Sequence, residues 1–301
     1  MMQKNNKIFW RTGQEITPDT FKQADNYINS RFNLIHRLIA DGNYGLLPVT
    51  DTDPTSFAIK TNLNNREITI EQLVCYGTTG AGYFVEMENN FLASLPRKYL
   101  SIPESGAKAL YIVLRINPFE QVLVEPVTNG EAPEAHALYE LDIRELDRID
   151  EDELAILKID NRSHTPFIDP DYVPPCMSVN ACPKLLDTFN RIKQLLIEIM
   201  SHIRQKDYIG GTTIYPLAML YDELEDFPLT GQPIVLLRLI KKIIRTFRFF
   251  ITDIRSLDTP DLLRTYNHND MSITYQSLLS YLQGVSKIVG QEKEDDFTPR
   301  I

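Results

Sequence analysis

The chain has 301 residues, a length for two domains or one large one, and its 43% hydrophobic and 24% charged residues are those of a folded globular protein. That excludes disorder over most of the chain, and collagen-like or low-complexity character. Forty-one acidic side chains against 31 Lys and Arg give a net charge of −10, which argues against a general nucleic-acid binder or an anionic-membrane binder.

The first residues, MMQKNNKIFWRTGQ, lack the apolar core of a signal peptide. Residues 16–42 then carry helix signals. Thr17 suits the N-cap, Pro18 the first helical position, Asp19 the first turn and Gly42 the stop. Phe21, Ala24, Ile28, Phe32, Ile35 and Ile39 recur at helical spacing.

Residues 43–165 change character. Ile68 and Ile70 alternate with polar neighbours; Tyr83, Val85 and Met87 alternate with Phe84, Glu86 and Glu88, and Tyr139, Leu141 and Ile143, then Leu154, Ile156 and Lys158, recur at every second position. Residues 109–116 form a nearly continuous apolar run, expected of a well-buried strand, and Asn117-Pro118 signals a turn before Val122 and Val124. Six or more short strands with few intervening helices predict an antiparallel sandwich or barrel. Residues 166–175 hold four prolines in ten positions and read as a stiff linker.

Residues 183–290 predict helices. Leu185, Phe189, Ile192, Leu196, Ile199 and Ile203 alternate steps of four and three, and so do Leu237, Ile240, Ile244, Phe247, Ile251 and Ile254. Leu278, Leu282, Val285 and Val289 do the same over a shorter span, and a further helix starts at Pro216 and includes Leu217, Leu220 and Leu224. This is the coiled-coil period, which serves equally for the core of one chain's bundle or for a seam shared between chains. The final residues, 291–301, are polar and read as a disordered tail. The fold class expected is therefore α+β in two parts: an N-terminal helix with an antiparallel β-sandwich over 1–175, and a helical bundle over 176–290.

Candidate chemistry is sparse. Gly77, Gly80 and Gly82 lie in GTTGAG, but a strand-like run follows where a phosphate loop needs Lys-Ser/Thr and a helix, so a β-turn is the reading. Cys75, Cys176 and Cys182 are too few and too oddly spaced for a disulfide framework or a zinc site, and no His pair has ligand spacing. Cys176 and Cys182 are separated by five residues. A Cys-His nucleophile pair assembled in the fold stays open, since such partners meet only in three dimensions. Asp51-Thr52-Asp53-Pro54 reads as a turn. Residues 131–160 hold eleven acidic side chains against Arg144, Arg148 and Lys158, and Asp150–Glu153 reads as a solvated loop. Arg238, Lys241, Lys242, Arg245 and Arg248 make a basic stripe, read as a solvated face or a contact with an acidic partner surface. They also interrupt the most apolar stretch, and no charge-free run reaches the ~20 residues that span a bilayer. The sequence therefore reads as soluble and cytoplasmic, with no cofactor, no metal, no nucleic acid and no membrane insertion.

Three blocks carry a family resemblance. Phe9-Trp10-Arg11-Thr12-Gly13-Gln14-Glu15-Ile16-Thr17-Pro18-Asp19-Thr20-Phe21, continuing to Asp25 and Tyr27, resembles the opening of TssK, the type VI secretion baseplate family. Phe167-Ile168-Asp169 with Tyr172-Val173-Pro174-Pro175-Cys176-Met177 resembles that family's junction between β and helical parts. VNACPKLLDTFNRIKQLL, residues 179–196, resembles the start of its helical neck. The resemblance implies a β shoulder and a helical neck. It implies a homotrimeric adaptor that joins baseplate wedge proteins, TssF- and TssG-like, to a membrane-anchor complex. It places the protein in the cytoplasm, peripheral to the inner membrane through the secretion machine, with no catalytic step. The family usually continues into a C-terminal head, and this sequence ends after the helices. Leu185, Phe189, Ile192, Leu196, Ile240, Ile244, Phe247 and Ile251 are then expected in the bundle core or trimer seam, with Trp10, Pro18 and Phe21 as anchors of the N-terminal region. A phage-derived tail or receptor-binding adaptor and a Cys- or metal-dependent enzyme are the alternatives.

Overall fold

Thr17 starts the first helix. Its hydroxyl accepts the backbone N–H of Thr20 while Thr20 Oγ1 accepts that of Thr17, so two N–H groups without helical partners are satisfied by a reciprocal pair. Pro18 follows at the position where its fixed φ is an asset, and α1 runs Pro18–Ala40 until Asp41 and Gly42 turn left-handed. The computed structural model describes residues 7–48, 56–89, 95, 99–104, 106–124, 134–163, 165–205, 214–251, 253–261, 264 and 266–290. Asp51 to Pro54, Glu131, His164 and the tail 291–301 lie outside the described residues.

The fold is α+β, with two antiparallel sheets. The first contains β1 (Gly45–Leu46), β2 (Phe57–Asn64), β3 (Glu67–Thr78), β4 (Phe84–Met87) and β5 (Tyr99–Ser101), all paired to β3. The second contains β6 (Ala109–Val124), β7 (Glu134–Arg144), β8 (Glu153–Asp160) and β9 (Phe167–Ile168), in the order β7-β6-β8-β9. Ile68, Ile70, Leu73 and Cys75 of β3 point inward with Ile112, Leu114 and Ile116 of β6. The GTTGAG segment is the end of β3 and its turn into β4, where Thr78 pairs with Phe84.

Two sequence expectations change here. Asn117-Pro118 does not end a strand: β6 continues through it as a bulge, the register against β7 shifting between Asn117 and Gln121. Proline has no N–H to give to a ladder, and a bulge leaves residues unpaired, so it is accommodated. The Asn117 side chain meanwhile accepts the N–H of Phe119. In β8, the second change, alternation fails because both faces are covered; Ala155 joins Tyr111, Val113 and Tyr172 in a separate small cluster.

Residues 175–177, at the end of the stretch whose prolines read as a stiff linker, are stitched to the first sheet. Leu46 donates its N–H to Pro175 O at 2.8 Å and accepts that of Met177 at 2.9 Å. Gly45, at φ +116°, lies so close that a Cβ would fall 2.2 Å from the Pro175 carbonyl carbon. No side chain fits there.

Four α-helices follow: α2 (Pro183–Gln205), α3 (Ile214–Glu225), α4 (Pro233–Phe250) and α5 (Ser272–Gly290), with α2 packed on α5 and α3 on α4. Helix α4 stops at Phe250, so Ile251 and Ile254 continue its stripe from a non-α segment; the Ile251 N–H still bonds Phe247 O at 2.8 Å. Leu185, Phe189, Ile192, Leu196, Ile240, Ile244, Phe247 and Ile251 are all 3% exposed or less within the single chain. One buried cluster runs unbroken from Ile68 and Leu114 through Cys176 and Val179 to Phe247 and Val289.

A buried ionic knot joins the two parts. Lys158 Nζ on β8 lies 2.8 Å from Asp270 Oδ2, just before α5, and 3.2 Å from Asp169 Oδ2. Tyr111 OH donates to the same Asp270 oxygen at 2.7 Å, and Ser272 Oγ bonds its other one. Burial alone would lower the Lys158 pKa, but the bonds and charge of Asp270 and Asp169 outweigh it and hold the ammonium above its usual range. Close by, Tyr172 OH donates to Asn269 O at 2.8 Å.

Two variants test this packing. Ile244→Asp with Phe247→Asp would bury two carboxylates, each at several kcal/mol, against a total stability of about 5–15 kcal/mol; loss of the cooperative melt is expected, and a native melt would contradict the burial. Lys158→Met leaves the fully buried Asp270 side chain without its cation and should cost about 3–5 kcal/mol in urea unfolding. A loss below about 1 kcal/mol, the value of a surface pair, would show that the knot is not the joint between the two parts.

Candidate functional site

Helix α1 is amphipathic, and it is turned inside out. At about 100° per residue, Phe21, Ile28, Phe32, Ile35 and Ile39 fall within an arc of about 60°. All five side chains are exposed, Phe32 at 66% and Ile39 at 78%. The side turned to the sheets carries Asn29, Asn33, His36 and Arg37, with Ala40 the one residue of the helix classed as buried. An ordinary surface helix does the reverse.

The contact with the sheets explains this. Gly82, at φ +82°, lies beneath the helix, where a Cβ would be 2.8 Å from Arg37 Cγ and 2.9 Å from Asn33 O. Arg37 Nη2 approaches Glu151 at 3.9 Å, an exposed pair of little energetic weight. A cleft of about 500 Å³ separates α1 from β4 and β7, with Phe32, Asn33 and His36 on one wall and Phe84, Glu86 and Tyr139 among the residues opposite. Tyr139 OH bridges the two sheets there, donating to Glu86 O and accepting from Glu86 N, both at 3.0 Å. Asn33 Nδ2 and His36 Nδ1 are buried without a hydrogen-bond partner, and burial pushes the His36 imidazole below its usual range. The side of α1 that faces its own chain is thus polar and loosely satisfied, while its apolar side faces out.

The apolar surface extends beyond the helix. Phe9 and Ile16 are exposed, and so are Trp10 at 51% and Phe21 at 57%. Trp10 and Phe21 therefore lie on the surface of the single chain, and Pro18 serves as the first residue of α1. The sequence shows the apolar spacing of α1 but not its direction. The polar quartet Asn29, Asn33, His36 and Arg37 gives no signal of it, because an ordinary surface helix carries such residues on its solvent side.

The other candidate groups are committed elsewhere. His268 bonds Tyr44 O through Nε2 and the Tyr266 hydroxyl at Nδ1, both at 2.6 Å, and burial lowers its pKa. The three thiols are buried. The Cys176 thiol donates to Pro174 O at 3.2 Å, and that of Cys182 is close enough to shift it electrostatically, a neighbourhood that five intervening residues conceal in the sequence. The neighbouring Cys176 thiol, with the N–H groups of Leu185 and Lys184 at the start of α2, brings Cys182 down to about 6 against the effect of burial. Desolvation and the nearness of Cys182 push Cys176 well up. Glu153 is not in a solvated loop: its side chain is fully buried, and it accepts from Arg144 Nη2 at 3.0 Å and from Asp150 N at 3.0 Å. In the basic stripe, Arg248 binds Leu257 O at 2.8 Å and Lys242 lies 3.8 Å from Glu223 on α3. Among the described residues no cluster of His, Cys, Asp and Glu could hold a metal ion, and no helix is long and apolar enough to cross a membrane.

No protein-family model and no curated protein matches the chain. Solved structures do. A chain of the type VI secretion TssK–TssF–TssG baseplate subcomplex, seen by cryo-electron microscopy, matches with a TM-score of 0.57 over 95% of this chain and 99% of its own, at 14% identity. The chain has a TssK-like fold. A crystal structure of TssK matches at TM-score 0.56 and 15% identity, covering 94% of this chain and 69% of that one. TssK from the type VI system of EAEC, bound to a nanobody, matches at 0.53 and 14%, covering 89% and 68%. At such identities the TssK likeness is one of backbone, and side chains such as Gly82 have to be judged on their own contacts. Gly82→Ala is expected to push α1 off the sheets and lower stability by more than about 1 kcal/mol, since both the positive φ and the space resist a Cβ. Faster proteolysis within α1 than in the parent chain checks it.

Proposed function

We propose that this protein is a structural baseplate component of a type VI secretion machine, a homotrimeric adaptor that works by binding and positioning. The TssK-like fold over 95% of the chain carries the reading, together with the origin of that match in a TssK–TssF–TssG baseplate subcomplex. In this reading α1 and the two sheets form a β-sandwich shoulder over 1–175, and α2 to α5 form a helical-bundle neck over 176–290. The shoulder meets wedge proteins of the TssF and TssG kind, and the assembly faces a membrane anchor from the cytoplasmic side. The eight buried neck residues serve the core of each chain. No chemical step is assigned to any residue. A rigid body with an exposed apolar face suits such a role, because a patch larger than those of ordinary monomers marks an interaction surface.

The test is co-purification. The tagged full chain, co-expressed with TssF- and TssG-like wedge proteins, is expected to retain both through size exclusion. Recovery of neither, with all three proteins soluble, would overturn the baseplate assignment.

A further inference from the structure

We infer that the outward face of α4 is a docking surface for an acidic amphipathic helix of a partner protein. This face belongs to the helical part of the chain and plays no role in the baseplate reading above. Helix α4 carries five cations and no carboxylate in its 18 residues, on a chain whose net charge is −10. At about 100° per residue, Val235, Arg238, Lys242, Arg245 and Phe249 fall within an arc of about 80°. Leu236, Ile240, Ile243 and Phe247 lie on the opposite side and are buried, whereas Val235 is 44% and Phe249 72% exposed. The fold uses only part of this charge. Arg248, on the flank of the stripe, is held by Leu257 O at 2.8 Å and by the Thr259 hydroxyl. Lys242 lies 3.8 Å from Glu223, with both side chains more than half exposed. The side chains of Arg238, Lys241 and Arg245 have no ion pair or hydrogen bond among the described residues. Cations of the sheets such as Lys60, Arg115 and Arg162 each have a carboxylate beside them.

Spacing selects the shape of the occupant. Arg238 and Arg245 stand seven residues apart, about 10.5 Å along the axis. Val235, Lys242 and Phe249 follow one another at the same interval. A second helix laid along α4 repeats its own side chains at that interval, so two carboxylates seven positions apart on it meet both arginines at once. Apolar residues just outside those carboxylates then cover Val235 and Phe249. Charge selects the sign, since a guanidinium takes a carboxylate through two parallel hydrogen bonds. Two other anionic occupants fit less well. A nucleic-acid strand is repelled by the net charge of the chain and lacks a row of aromatic platforms, the stripe having Phe249 alone at its end. An anionic bilayer takes up the apolar side of a basic helix, and that side of α4 is turned into the bundle.

The experiment follows the fluorescence anisotropy of a labelled three-heptad helical peptide mixed with the full chain. The peptide carries Glu at two positions seven apart, to meet Arg238 and Arg245, and Leu three or four positions outside them. A scrambled peptide of the same composition is the control. Binding of the designed peptide is expected in the micromolar range, about tenfold weaker in 0.5 M than in 0.05 M salt, as for partly exposed ion pairs. Arg238→Glu/Arg245→Glu is expected to weaken it by more than about tenfold, since like charges then face each other, with an unchanged circular dichroism spectrum. Val235→Ser/Phe249→Ser should weaken it by a factor that is the same at both salt concentrations, because apolar burial is not screened. No binding in the low salt overturns the surface. A scrambled peptide that binds equally well overturns it too, and so does a double arginine variant that binds like the parent. Tighter binding of a single-stranded oligonucleotide, or of phosphatidylserine vesicles, that is lost in the double arginine variant overturns the acidic helix as the occupant. Each of these failures leaves the co-purification test, and with it the baseplate role, untouched.

Discussion

The buried pairing of Lys158 with Asp270 is the constraint on which the rest of the molecule depends. An isolated carboxylate with no exposed side-chain surface would be costly, and it is stable here because an ammonium and two hydroxyls surround it. Those groups come from β8, β6 and the start of α5, so satisfying one charge fixes the second sheet and the helices in one geometry. Leu46, Pro175 and Met177 then seal the backbone beside it. With the joint fixed, the direction in which α1 presents its apolar side is fixed too, since α1 leads into β1 through Asp41 and Gly42.

The parts of the fold legible in the sequence are those with local causes. Thr17 and Pro18 announce α1 because capping involves residues only a few positions apart. The stripes of α2 and α4 announce buried helices because a period of 3.5 is written in the chain itself. The TssK resemblance, carried by short blocks near residues 9, 167 and 179, agrees with the backbone comparison although identity is only 14–15%. What stayed hidden depends on partners distant in sequence. Pro118 reads as a turn because its bulge is defined by β7 across the ladder. Glu153 reads as solvated because Arg144 must be brought to it. The meeting of Cys176 with Cys182 requires the chain to fold back at the start of α2.

The candidate surface was legible only in half. The sequence shows an apolar stripe on α1 but not what faces it, and the default expectation is that such a stripe turns inward. The two sheets fill their own interior with Ile, Leu and Val, and across the cleft they face α1 with Gly82, Phe84, Glu86, Pro118 and Tyr139 among others. The helix meets its own chain there with asparagine, histidine and arginine. The later helices left two readings open, bundle core or trimer seam, under the same rule: a repeat of seven shows that helices pack, and only the complete fold shows which partners lie in the same chain.

The junction also sets an order for folding. Tyr44 donates to Asn269, and His268 bonds the Tyr44 carbonyl, contacts that span 225 and 224 residues of sequence. The first strand is therefore locked by a segment made more than two hundred residues after it. Closing so long a loop is slow, and until it closes the apolar stripes of α2 and α4 and the unsealed edge beside Leu46 are both open. A nascent chain is thus most prone to stick to others just before α5 emerges. Truncation before Asn269 would hold every molecule at that stage, with Tyr44, Leu46 and the helix stripes uncovered at once.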